Sequence, residues 1–307
     1  ENQDLFTFSD MGTADGGTSL KMVGNLINAI QKNNPGISFN IVYADQPKND
    51  FNGLVQTVLG LGHFSSYLET TENVFPLFSA NSFYKQILPD NTLDFGFSAT
   101  AMHWLSAKPC DISHHVHMVG ASEPVLEAFT HQAVKDWQNI LLARAPELRP
   151  GGRLVSMNFG KDEDGRYLGN TGGINMFDTF NDLWEQMAVE GKITQEEYIN
   201  ATFPQSYRTK EEFCAPLADT SSPVFAAGLR LVSAHTGVVG CPYRKAYERS
   251  NGSMSAREFA NSYIPTLRSW SETVFLNALS PDRPLEEKAG LIDHYYQQYE
   301  DLVAHNP

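Results

Sequence analysis

Two acidic residues stand where strands should end. Asp10 follows the apolar, aromatic run Leu5-Phe6-Thr7-Phe8 after a single serine, and Asp45 follows the apolar stretch from Ile37 to Ala44. Between them lies Ser9-Asp10-Met11-Gly12-Thr13-Ala14-Asp15-Gly16-Gly17, a turn-forming glycine loop, and then Thr18, a residue type suited to a helix N-cap. Leu20, Val23, Leu26, Ile27 and Ile30 recur at helical spacing, and Asn33-Asn34-Pro35-Gly36 stops that helix. A carboxylate at the first strand end can meet a cationic amino group. One at the second can accept both hydroxyls of a ribose. Further on, His103 and Trp104 offer ring N–H donors, a pair suited to orienting an anion. Each has a plainer reading: a tight packed turn, a solvated turn acid beside Pro47, and a strand-end core pair.

The elements that must position these residues alternate. Leu93 to Phe97 reads as another strand, followed by Ser98 to Ser106. Glu123 to Ala145 is a long helix, Arg149-Pro150-Gly151-Gly152 a turn, and Leu154 to Met157 a strand. The alternation predicts an α/β fold with a mostly parallel sheet and helices on both faces, a Rossmann-like core. Lys161 to Gly173 is a polar loop, Phe177 to Glu190 and Thr194 to Asn200 look helical, and Leu229 to Val232 is expected to return to a strand. Ser255 to Leu279 and Leu285 to Val303 read as long helices. The expected division is an α/β core over 1–160, continued by 206–250, with 161–205 and 251–307 forming a mainly helical cap.

Composition narrows the classes. The 307 residues carry a net charge of −14, which disfavours phosphate backbones, so no nucleic-acid partner is expected. No apolar run reaches transmembrane length, and no membrane partner is expected. The three cysteines, Cys110, Cys214 and Cys241, show no ligand spacing, which points to a reducing, cytoplasmic setting. His114-His115-Val116-His117 lacks a completing carboxylate or cysteine at standard spacing, and no metal is expected there. Asp162-Glu163-Asp164 reads as a solvated loop.

The glycine loop lacks the GxGxxG spacing that a pyrophosphate needs, which disfavours an NAD-dependent oxidoreductase. S-adenosylmethionine has no phosphate but carries an ammonium and a sulfonium, which suits Asp10. Four motifs then resemble the SABATH family of carboxyl methyltransferases, which also methylates xanthine nitrogens. They are Ser9-Asp10-Met11-Gly12, Asp45-Gln46-Pro47-Lys48-Asn49-Asp50-Phe51-Asn52, Ser82-Phe83-Tyr84-Lys85-Gln86-Ile87-Leu88-Pro89 and Met102-His103-Trp104-Leu105-Ser106. The likeness continues through Val189-Glu190-Gly191-Lys192-Ile193, Phe203-Pro204-Gln205-Ser206-Tyr207 and the helix around Tyr263 to Leu279.

The resemblance implies direct methyl transfer to the carboxylate of a small organic acid, with S-adenosylhomocysteine as product, in a homodimer. It implies that Asp10 holds the donor's methionine portion near Gly12 and Asp45 its ribose, with Thr18 also at the donor. Gln46, Ser82 and Phe83 would lie at the adenine, with Ala99 and Thr100 close to the donor. His103 and Trp104 would face the substrate carboxylate, and Met176 and Phe177 would line an apolar pocket. Thr13 to Thr18 departs from the family's Cys-Ser-Ser-Gly-Pro-Asn loop, Gln46 replaces a leucine, and Thr100 stands where tyrosine is common. Ile199-Asn200-Ala201-Thr202 stands where some relatives have a magnesium-associated Asp-x-Phe-Asn, so no metal is expected. The family's closing N-terminal segment, which supplies a glutamine, is not among these residues. N-methylation of a purine-like ring and a non-catalytic protein retaining the donor fold are the alternatives.

Overall fold

The computed structural model describes residues 4–62, 64–170 and 173–307; Thr171 and Gly172, in the loop expected over 161–173, lie outside them. In chain order the first elements are β1 (Leu5–Met11), α1 (Leu20–Gln31), β2 (Ser38–Ala44), α2 (Phe51–Val58), β3 (Val74–Ser79), β4 (Leu93–Ala99), α3 (Glu123–Glu147) and β5 (Leu148–Met157). Then follow α4 (Met176–Val189), α5 (Gln195–Asn200), α6 (Lys210–Ala218), α7 (Pro223–Ala226), α8 (Pro242–Arg249), α9 (Ala256–Ala278) and α10 (Leu285–His305). The chain forms two compact units. The first takes residues up to Ser106, Ala133–Phe159 and Glu211–Ala234; the second takes Ala107–Gln132, Gly160–Lys210 and His235–Pro307. Residues 107–132, 206–210 and 235–250, grouped with the core by sequence pattern, fold with the second unit.

The first unit is a Rossmann-like parallel sheet in the order β3-β2-β1-β4-β5. Leu5 to Met11 pairs with Ser38 to Ala44 in register, and Phe8, Ser9 and Asp10 pair with Phe95, Gly96 and Phe97. Alternation along the strands feeds two cores. Phe8, Phe39, Ile41 and Tyr43 pack on Leu20, Val23 and Ile27 of α1 and on Leu54 and Val58 of α2. Met11 and Ala44 belong to a second cluster with Trp137, Ile140 and Leu141 of α3. Each such large apolar side chain contributes roughly 1.5–3 kcal/mol on burial.

Three local expectations are corrected. The residue that caps α1 is Ser19, not Thr18, which stays exposed outside the helix. Ser19 makes no side-chain cap; its hydroxyl donates to the Gly16 carbonyl instead, at 3.1 Å. Leu229 to Val232 forms no strand. The sheet ends at β5 and gives that run no partner, while Arg230 lies over the Phe225 ring, 3.4 Å from its centroid, and donates to the Phe225 carbonyl at 2.6 Å. β3 was not expected at all, because Pro76 interrupts its apolar run and Phe75 and Leu77 face solvent at an edge.

The second unit is helical around an aromatic core. Phe180 and Trp184 of α4 meet Phe275 of α9, and Trp184 meets Tyr295 of α10, with ring centroids 5.0 to 5.7 Å apart. Tyr295 satisfies its hydroxyl by donating to the Phe180 carbonyl at 2.9 Å. Glu197 of α5 ties this unit together. It closes a capping box with Thr194, accepts the Ser280 N–H at 2.8 Å, and receives both Nε (2.6 Å) and Nη2 (2.8 Å) of Arg283.

The hydrogen-bonded Arg283 guanidinium holds the Glu197 carboxyl down at about 2, well below its ordinary value of 4.5. A depressed folded-state value means that the stabilisation is complete above the ordinary value and is lost as pH falls toward about 2. Thermal unfolding of the parent should therefore show a drop in Tm across that acid window. Arg283→Met should flatten this component and cost on the order of 3 kcal/mol at neutral pH, the cost of stranding a buried carboxylate. An unchanged neutral-pH Tm in Arg283→Met would show that the pair does not carry the unit.

Candidate active site

Strand order reverses between β1 and β4: the chain leaves β1 for β2 on one side and returns from the β3 edge to β4 on the other. Open parallel sheets place ligands at such a switch point, beyond the carboxyl ends of the strands. A cavity of about 240 Å³ lies there, lined by Asp10, Gly12, Thr13, Thr18, Ser19, Met22, Phe97, Ala99 and Met157. Its walls are mostly apolar, and Asp10 brings a carboxylate that is only 3% exposed. Burial raises the Asp10 carboxyl above its ordinary 3.8, hydrogen bonds from Ser19 and Thr13 oppose the rise, and the nearby Asp45 charge adds to it. The Thr13 hydroxyl donates to Asp10 Oδ2 at 3.1 Å.

The glycine turn is required by space as well as by backbone. Gly12 has φ +77°, and a Cβ there would sit 2.3 Å from the Ala101 Cβ. Ala14 also takes a left-handed conformation, φ 50°. Its N–H donates to Asp45 Oδ2 at 2.8 Å, and its carbonyl accepts from Asn49 Nδ2 at 2.9 Å. The second Asp45 oxygen accepts the Gln46 N–H at 2.7 Å. Asp45 thus clasps the glycine loop through one oxygen and its own turn through the other. A carboxylate has about four lone-pair sites, so both oxygens retain capacity for a diol.

The other expected residues fall as follows. Gln46 is exposed and Ser82 half-buried. The Phe83 ring lies beside the glycine turn, with Cε1 3.6 Å from where a Gly12 Cβ would be. Ala99 ends β4, and Thr100 takes φ 54°, held by its N–H donating to the Met157 carbonyl at 2.7 Å. His103 is buried, with Phe159 against its ring edge at 5.1 Å between centroids. The Tyr84 hydroxyl donates to the Trp104 carbonyl. Ser106, two residues on, gives its N–H (2.8 Å) and hydroxyl (2.7 Å) to the buried carboxylate of Asp136 on α3. Asp10, Gly12, Thr18 and Ala99 line the cavity; Asp45, Gln46, Ser82, Phe83, Thr100, His103 and Trp104 lie outside its lining.

Met176 and Phe177 begin α4 in the second unit. Phe177 is fully buried there, stacked on His117 at 3.9 Å and in ring contact with Phe180 and Phe203. His115 faces Asp178 at 3.4 Å and His117 lies among aromatic rings, positions that serve packing around α4. Among the described residues no group of three or more His, Cys, Asp or Glu side chains is placed to hold a metal, and no helix is long and apolar enough to cross a membrane. The sequence reading missed Thr13, Ser19, Met22, Phe97 and Met157. The strand-end position of Met157 and the polar Thr13 and Ser19 flanking the glycine turn were the available signals.

The sheet order, the glycine turn after β1 and the acid after β2 define a Rossmann-like methyltransferase fold. A solved structure of loganic acid methyltransferase with SAH shares it, with a TM-score of 0.76 at 19% identity, covering 99% of this chain and 79% of that one. The sequence pattern of the SAM-dependent carboxyl methyltransferase family matches residues 1–222, and the chain belongs to that family. A probable S-adenosylmethionine-dependent methyltransferase of Arabidopsis thaliana is 28% identical over 66% of this chain and 60% of its own length. Indole-3-acetate O-methyltransferase 1 of the same plant is 26% identical over 68% of this chain and 59% of its own. The chain thus spans about 60% of the length of these relatives.

Proposed function

We propose that this chain methylates the carboxylate of a small organic acid with S-adenosylmethionine, releasing a methyl ester and S-adenosylhomocysteine. The observation that carries the reading is Asp10, a buried carboxylate in a mostly apolar cavity at the sheet's switch point. Such a site suits a group that pairs an ammonium with an apolar thioether chain, and its glycine turn lacks the spacing for a diphosphate. Family membership and relatives named for indole-3-acetate and loganic acid support the acid as acceptor.

When bound, the donor supplies an electrophilic methyl group on a sulfonium. The chain's own residues then orient and desolvate. Asp10 pairs with the ammonium, and Asp45 accepts the ribose hydroxyls on the lone pairs its backbone bonds leave open. The acceptor acid is ionised near pH 7, so no general base is needed. Trp104 gives its single indole N–H and His103 a ring N–H to that carboxylate, fixing which oxygen faces the methyl group. The chain acts as a homodimer in a reducing, cytoplasmic setting, with the half-buried free thiols Cys110, Cys214 and Cys241 as support for the setting.

Three outcomes test this reading. Trp104→Phe keeps the ring and deletes its donor, so an anionic oxygen loses a bond worth roughly 1.5–3 kcal/mol. The kcat/KM for the acid should fall by about one to two orders of magnitude. Calorimetry should find the affinity for S-adenosylhomocysteine unchanged, and full activity on every acid turned over by the parent would remove the clamp. Light scattering should return twice the 34.1 kDa chain mass, and a mass equal to one chain would end the dimer assignment.

The third concerns pH. Burial raises the Asp10 carboxyl, so protonation sets in at higher pH than for an exposed aspartate. Affinity for S-adenosylhomocysteine, whose ammonium needs the ionised form, should fall on acidification with a midpoint above 3.8. Asp10→Asn should bind weakly and lose that dependence. The same acid profile in Asp10→Asn would assign the titration to another group.

A further inference from the structure

We propose that the buried Arg144–Glu147 pair of α3 is a positioning element for the methyl donor, holding segment 83–88 so that the Phe83 ring meets the adenine. The inference rests on the reading that Phe83 lies at the adenine end of the site.

Both side chains are fully buried. They face each other one turn apart, with Arg144 Nε donating to Glu147 Oε2 at 2.6 Å and Nη2 to Oε1 at 2.7 Å. The remaining guanidinium donors turn outward from the pair. Nη1 reaches the Phe83 carbonyl and Nη2 the Lys85 carbonyl, each at 2.7 Å. Glu147 Oε1 accepts from the N–H groups of Ile87 and Leu88, the second at 3.2 Å. Two side chains therefore satisfy two carbonyls and two N–H groups of a stretch between β3 and β4 that is neither helix nor strand. Buried backbone without a ladder needs such partners.

Stability is a poor account of this pair. Burying two opposite charges costs desolvation that their attraction barely repays, and well-packed apolar replacements are often as stable. What apolar residues lack is direction. A guanidinium is a planar fork with fixed donor vectors, and here it sets two carbonyls two residues apart. The segment so held carries Phe83 against the glycine turn and Tyr84, whose hydroxyl donates to the Trp104 carbonyl. The brace thereby reaches the donor turn directly and the acceptor side through Tyr84.

The test is a thermodynamic cycle on the full chain, with S-adenosylhomocysteine as the probe in calorimetry. Arg144→Lys keeps a charge opposite Glu147 and loses the fork on the two carbonyls. In the parent it should weaken binding about tenfold, or 1.4 kcal/mol. In a Phe83→Ala background the same substitution should change affinity less than about twofold, because the ring through which the brace acts is gone. A purely structural role would give equal losses in both backgrounds and would overturn the inference. So would parental affinity in Arg144→Lys while Phe83→Ala alone binds weakly. Unchanged affinity in Phe83→Ala alone would instead remove Phe83 from the adenine, and the inference with it. Should Arg144→Lys not fold by circular dichroism, Glu147→Gln runs the same cycle with the same outcomes.

Discussion

The contact between two strand exits governs the first unit. β1 and β4 are neighbours, and both must turn away from the sheet at the same end. At that end Gly12 and Ala101 come so close that a side chain on the first has no room. The meeting of the exits places Asp10, Thr13 and Ser19 opposite Phe97 and Ala99 around one cavity. It also loads β4's exit. Thr100 is β-branched and still takes a left-handed backbone, a conformation that costs energy for such a residue and persists only when its surroundings enforce it. Its hydrogen bond to Met157 ties the ends of β4 and β5 together and is part of that enforcement.

Around that contact, charged side chains act as fasteners for backbone. Asp45 holds the N–H of Ala14, Asp136 holds Ser106, and Arg144 with Glu147 holds the stretch from Phe83 to Leu88. Each binds an irregular segment that follows a strand of the sheet. Loops that leave parallel strands have no ladder to satisfy their own groups. A fold that places ligands on such loops needs fixed partners for them, and α3 supplies three of these side chains. Replacing Asp45 would remove the proposed ribose acceptor and loosen the glycine turn together, so a loss of donor affinity there does not separate the two roles.

What the sequence disclosed follows from how local each signal is. β1, the glycine turn, α1 and β2 were legible because two short apolar runs flank a glycine turn and a helical period of 3.6. The long helices α3, α9 and α10 were legible for the same reason. β3 was hidden by Pro76 and by its edge position, where Phe75 and Leu77 need no burial. Leu229 to Val232 has strand composition but no neighbour to pair with, and composition cannot report a partner. The exchange of Thr18 for Ser19 at the helix start turned on a hydroxyl drawn to the Gly16 carbonyl, a contact outside any capping rule. Nothing local in the sequence marks Arg144 and Glu147, because the backbone carbonyls and N–H groups they serve lie some sixty residues earlier in the chain.

Electrostatics explains why neutral donors suit the acceptor side of the proposed reaction. The chain carries a net charge of −14, and Asp10 and Asp45 concentrate negative charge near the glycine turn, the Asp45 charge raising the cost of ionising Asp10. A cationic donor would relieve that repulsion. An incoming carboxylate meets the opposite balance and needs local attraction. A lysine or arginine would supply it, but a full positive charge on the attacking oxygen would draw off the electron density that the methyl transfer uses. An indole N–H and an imidazole N–H orient the same oxygens while leaving that density largely in place. In the proposed clamp His103 and Trp104, fixed behind by Phe159, Tyr84 and the Ser106–Asp136 bonds, would supply such ring N–H donors.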